Sequence, residues 1–204
     1  MRQTEPQRGA DIIVDMRMPS LETDRLRIRP FEDTDLAAVR AILEADETDP
    51  TTERYVRHGG LNALVLADLM QPPIGDRAVE LRSSGEVVGI AGLVPAYAPF
   101  AQLRPVDEAQ ADEPRAWLYR IEIGLYYAVH PTHRRQGYAS EAARALVDFA
   151  FDRLRLGRIV ATTEHDNAAS QAVMRRLGMR MHENALPDPA WFQVVGIAEN
   201  PSGA

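Results

Sequence analysis

One stretch, Ile121 to Ala143, constrains this chain more than any other. Leu118 to Val129 is an apolar, β-branched and aromatic run of strand length. Pro131 stops it, because proline has no N–H to give a β-ladder. A short basic loop follows, and Gly137 then opens a helix whose apolar residues Ala143, Leu146, Val147, Ala150 and Leu154 recur at three and four. Glu141, Arg144, Asp148, Asp152 and Arg155 fall on the opposite face. The unit is therefore strand, basic glycine-containing loop, amphipathic helix.

That order carries chemistry. The first turn of a helix has N–H groups without intrahelical partners, and the macrodipole makes that end positive. Gly137 has no Cβ to hold a bulky anion away from the backbone, and Arg134 and Arg135 add permanent charge. Such a loop suits a phosphate or pyrophosphate. The alternative is a basic loop that only starts a helix.

The residues also carry a family resemblance. Arg134-Arg135-Gln136-Gly137-Tyr138-Ala139 fits the Arg/Gln-x-x-Gly-x-Gly/Ala signature of the GCN5-related N-acetyltransferase (GNAT) superfamily. Glu122-Ile123-Gly124, the strand that holds it, and Asn167-x-x-Ser170 leading to Leu177-Gly178 fall in that family's order. The chain resembles its RimJ/RimL-type members, which acetylate protein N-termini or small amines, over about residues 21 to 198. The resemblance implies acetyl-CoA as co-substrate, with its pyrophosphate on Arg134 to Ala139 and its pantetheine arm along Ala128 and Val129. It also implies that Asn167 bonds the arm or a water.

The rest of the chain fits one α+β domain. Its 204 residues suit a single core, with residues 1–20 read as an N-terminal extension and 21–204 as the domain. Leu26 and Ile28 alternate with arginines in a half-buried first strand. Asp33-Thr34-Asp35 supplies caps for a helix through Leu36, Val39, Ile42 and Leu43. Asp46 to His58 reads as a polar loop, and Leu61, Leu64, Val65 and Leu69 mark a second helix. Residues 78–82 and 86–95 form a hairpin across Ser83-Ser84-Gly85, with a bulge expected near Gly89 and Gly92. Residues 97–115 are an unpatterned, acid-bearing insertion. Arg158 to Thr163 is a strand, Asn167 caps a helix that ends at Gly178, and 179–182 and 192–197 are strands. Strands and helices do not alternate regularly, so the sheet is mixed, and the resemblance adds that it is splayed beside the strand 118–129.

Composition narrows the function. The absence of cysteine excludes thiolate catalysis and a covalent acetyl-cysteine, so transfer would be direct. A net charge of −7 speaks against nucleic acid as a partner, and no apolar run is long enough for a membrane span. The expectation is a cytoplasmic protein, monomer or homodimer, with no metal site: only His130 and His133 lie close together, with no ligating acid beside them.

Acetyl transfer needs a way for the amine's proton to leave and a donor for the departing sulfur. Glu122 is the candidate base, with a cross-strand ion pair as the plainer role. Many family members place a tyrosine where this chain has Met174, which cannot donate a proton, and Ser170 is the hydroxyl that remains. The acceptor is a primary amine, on a protein N-terminus or a small molecule. The acidic segments Glu44 to Glu53 and Asp107 to Glu113 would suit a cationic one if they rim its site. Two other readings remain open: a transferase with a different acyl donor, and a non-catalytic acyl-CoA-binding module.

Overall fold

A computed structural model describes residues 18–100, 119–184 and 186–203. The core of the fold is an eight-stranded sheet in the order β1-β2-β3-β4-β5-β6-β8-β7. Its strands are β1 (Leu21–Glu22), β2 (Leu26–Arg29), β3 (Gly75–Leu81), β4 (Val87–Ala98), β5 (Arg120–Val129), β6 (Arg158–Thr163), β7 (Arg180–Glu183) and β8 (Val194–Glu199). Every pairing is antiparallel except β5 with β6. The helices are α1 (Leu36–Leu43), α2 (Pro50–Asp68), α3 (Tyr138–Asp152) and α4 (Ala168–Arg176). This is the mixed α+β sheet the sequence predicts.

Side-chain alternation divides the sheet between two apolar clusters. Leu26, Ile28, Val79, Leu93 and Leu125 pack with Leu146 and Val147 of α3 and Met174 of α4. Ala78 and Ile90 point the other way, onto Phe31, Val39 and Ile42 near α1 and Val56 of α2. The hairpin turns at Gly85, whose φ of +76° requires glycine. Its bulge is on β4: Val79 faces Gly89 and Glu80 faces Val87, which leaves Val88 as the extra residue.

One expected loop is helix. Residues 46–58 do not stay irregular, because α2 begins at Pro50. The signal was local: the Asp49 carboxylate accepts from Thr51 N–H at 2.8 Å, and Pro50 stands at the first helical position. Apolar periodicity hid it, since this helix buries only Thr52 and Val56, while Leu61, Leu64, Val65 and Leu69 are exposed. The expected strand start at Leu118, the acidic segment 107–113 and most of the 97–115 insertion and the N-terminal extension lie outside the described residues.

A charged network fixes the start of α1 to the sheet. Arg29 donates to both oxygens of buried Asp35, at 2.8 and 2.9 Å, and its Nε donates to Glu80 at 2.7 Å. Asp35 also accepts the Glu32 N–H at 2.8 Å. Each buried charge is thereby paired and hydrogen-bonded, the condition under which burial is tolerated.

Candidate active site

The central feature of the site is a missing strand contact. β5 and β6 run parallel but register at one point, Gly124 with Val160. Past that point β5 keeps its β4 partner as far as Val129, and residues 125–129 have no strand on the other side. A cleft of about 980 Å³ opens there, in the size range of small-molecule sites. Its walls are Leu125 to Val129, the loop and first turn of α3, Ala161 to Glu164 of and beyond β6, and Asn167, Ser170 and Val173 of α4.

The anion-binding features converge at one end. Gly137 caps α3 with φ +87°, and Arg135 before the glycine also has positive φ, 62°. The first intrahelical bond is Glu141 N–H to Gly137 C=O at 3.0 Å, so the N–H groups of Tyr138, Ala139 and Ser140 precede the ladder. The Ser140 hydroxyl lines the cleft, buried and without a partner among the described residues. Arg134 donates from Nε to the Val129 carbonyl at 3.2 Å and pairs with Glu44 at 2.6 Å, while Arg135 makes no ion pair among the described residues. A polyanion with a long polar arm fits this set: free helical donors, two arginines, an orphaned hydroxyl and an open strand edge.

A third arginine shapes the loop. Arg25 donates from Nε to Glu141 at 2.7 Å and from Nη1 to the Gln136 carbonyl at 3.1 Å, and its guanidinium lies 4.7 Å from the Tyr138 ring centre. Burial works against ionised Glu141, but the Thr23 hydroxyl and Arg25 hold its pKa below the ordinary value. The turn between β1 and β2 thus fixes the loop's shape from outside, a role that no spacing inside the loop announces.

At the other end Asn167 caps α4 by accepting the Ser170 N–H at 3.0 Å. Ser170 Oγ lies 2.9 Å from the Tyr127 phenol, which also donates to the Ser170 carbonyl at 3.1 Å. Burial raises the Tyr127 pKa against the smaller opposing pull of Ser170, so Tyr127 stays a neutral phenol. Met174 is fully buried in the core, not in the cleft. Tyr126 and Tyr127 both line the cleft, from opposite faces of β5.

Glu122 stands apart. It is two residues before Gly124, on the closed side of the β5–β6 contact, and its carboxylate is clamped by Nε and Nη2 of Arg158. It lines a separate depression with Ile121, Ile123, Leu156 and Glu199. The structure therefore brings together Ala128, Val129, Arg134, Arg135, Gly137 to Ala139, Asn167 and Ser170; it leaves Gln136, whose carbonyl faces Arg25, and Glu122 outside that group. Among the described residues no three His, Asp or Glu side chains gather as metal ligands.

Known proteins resemble this chain in sequence and in fold. A family model described as an acetyltransferase (GNAT) domain matches residues 25–180. The Bacillus subtilis N-acetyltransferase YoaA is 30% identical over 83% of this chain and 92% of its own length. The Bacillus subtilis N-acetyltransferase YjdG is 39% identical over 37% of this chain, and that match spans 44% of YjdG. The crystal structure of an acetyltransferase from Agrobacterium tumefaciens superimposes with TM-score 0.63 at 24% identity, over 89% of this chain and 95% of the other. Mycobacterium smegmatis RimJ in complex with a CoA disulfide gives 0.53 at 18% identity, over 87% and 83%.

Proposed function

The chain belongs to the GNAT acetyltransferase family, and we propose that it moves the acetyl group of acetyl-CoA directly to a primary amine on a protein N-terminus or a small molecule. One observation carries the proposal: the unpaired edge of β5 joins the arginine-flanked N-terminus of α3 to the Ser170 hydroxyl within a single cleft.

In this reading the chain's own groups divide the work. Arg134, Arg135 and the N–H groups that follow Gly137 hold the pyrophosphate, with Gln136, Tyr138 and Ala139 forming the cradle. Val129 and Ala128 line the pantetheine arm, and Asn167 orients it. Acetyl-CoA supplies an activated thioester; the protein supplies alignment, which can account for much of an acyl transfer's rate. Ser170 stands near the departing sulfur as proton donor, the neutral Tyr127 phenol fixes its rotamer and can pass a proton to it, and the amine's own proton leaves to solvent water. Lacking cysteine, the chain cannot carry a thioester-bound acetyl group, which favours direct transfer. Glu122, held by Arg158 beyond the cleft, acts here as an ion-pair partner between β5 and β6.

The test is a thiol-release screen of the purified protein with acetyl-CoA and longer acyl-CoAs against peptide N-termini, polyamines, aminoglycosides and amino acids. Turnover with acetyl-CoA and an amine supports the proposal. Tight CoA binding without turnover on any amine would make the chain a binding module, and preference for a longer acyl group would change the donor.

A further inference from the structure

On the α1/α2 face of the sheet, one row crosses three strands. Asp76 on β3 pairs with Gly92 on β4, and Gly92 pairs with Tyr126 on β5. A Cβ on Gly92 would stand 2.7 Å from Asp76 Oδ1, so the carboxylate lies over β4 in space that only glycine leaves open. Tyr55 of α2 donates to Asp76 Oδ2 at 2.7 Å. Oδ1 is buried and has no hydrogen-bond partner among the described residues.

Asp76 differs in this from the sheet's other sequestered carboxylates. Glu80 is paired with Arg27 and Arg29, and Glu122 with Arg158. Asp76 has no cation beside it among the described residues; the titratable groups that face it are Tyr55 from α2 and Tyr126 from β5. Burial raises its pKa, against the smaller effect of the Tyr55 hydrogen bond. A buried carboxylate without a counter-charge is costly, and a glycine and a tyrosine are arranged to keep this one in place. Tyr126 completes the row and, with Ile42 of α1, lines the cleft.

We propose that Asp76 determines acceptor specificity: the acceptor is a cationic alkylamine whose ammonium docks on the Tyr126 ring at the α1/α2 side of the cleft and supplies the counter-charge Asp76 lacks. The ring face attracts the cation, and Asp76 behind it adds a long-range attraction that little water screens. This rests on the acetyltransferase reading and refines its acceptor class.

Asp76→Asn keeps the side chain's size and an oxygen for Tyr55 while removing the charge. The probes are butylamine, a cation at neutral pH, and O-methylhydroxylamine, which is mostly neutral there. The variant's KM for butylamine should rise about 10- to 100-fold, the range expected for loss of one partly screened charge pair. Its kcat should change by less than ~3-fold, and its O-methylhydroxylamine kinetics and acetyl-CoA affinity should stay at parental values. An unchanged butylamine KM overturns the proposal, and so does an equal loss with both acceptors. If neither amine turns over, the acetyltransferase reading is left to the acceptor screen, where turnover with no amine is what fails it. Asp76 is then tested by carboxyl ¹³C NMR on the CoA-saturated protein, where adding butylamine should lower its pKa; an unmoved pKa overturns the proposal by itself.

Discussion

Gly137→Val separates two roles of one glycine, in the fold and in the proposed anion cradle. With φ at +87°, any side chain at 137 sits in the left-handed region, at a cost of about 1–2 kcal/mol. Space is not the obstacle, because an added Cβ would meet only Arg25 Nη2, at 3.4 Å. For a domain of this size the strain should lower Tm by about 2 to 8 °C and leave the protein folded. Binding should suffer more. Valine's branches crowd the N–H groups of the α3 first turn, and losing one charge-assisted hydrogen bond there costs roughly 1.5–3 kcal/mol. That converts to a roughly 10- to 150-fold rise in the acetyl-CoA Kd by titration calorimetry. Gly137→Ala, with the same strain and less bulk, should lose stability similarly and affinity less. A folded Gly137→Val protein with parental affinity would refute the anion cradle.

Other changes test other parts of the account. Ser170→Ala should lower kcat at least ~10-fold while the acetyl-CoA KM moves less, as for a group acting in the transition state; Tyr127→Phe should give a smaller loss of the same kind. Glu122→Gln should leave kcat/KM within ~3-fold, since its partner Arg158 is half exposed, and should cost no more than about 1 kcal/mol in denaturant unfolding; a large loss of kcat/KM in a folded variant would return Glu122 to catalysis. Asp76 has a folded pKa above its unfolded one, so its contribution to stability is full below the unfolded value and fades as pH rises through the folded value. Melting curves from about pH 4 to 7 should therefore show Asp76→Asn gaining on the parent as pH rises; a constant difference would mean that Asp76 ionises normally. Gly92→Ala should cost about 1–3 kcal/mol, because its Cβ would stand 2.4 Å from the Gly75 carbonyl oxygen and 2.6 Å from Asp76 Cα.

The parts of the fold that local chemistry fixes were readable in the sequence. The α3 unit followed from periodicity and one glycine, and the Asn167 cap from its side chain. α2 was half missed because its helical signal is a cap and a proline, while its apolar residues point to solvent instead of the core. The basic loop before α3 was legible because its residues are contiguous. Arg25, which shapes that loop from 111 positions away, was not, and neither was Asp76, which meets Tyr126 only through a three-strand register. Glu122 is the converse case: its motif was visible, but the residue at which β5 and β6 part is set by tertiary structure, and Glu122 lies just before it.

In the proposed mechanism one cleft binds acetyl-CoA at the α3 N-terminus and passes its acetyl group to an amine beside Ser170. Thiol release from acetyl-CoA, followed as an amine is titrated in and matched to acetylated amine by mass spectrometry, tests it most directly. The account predicts saturable release, one thiol per acetylated amine, abolished or sharply reduced in Gly137→Val at limiting acetyl-CoA. Release that does not depend on the amine, or acetylation that survives Gly137→Val unchanged under those conditions, would contradict it.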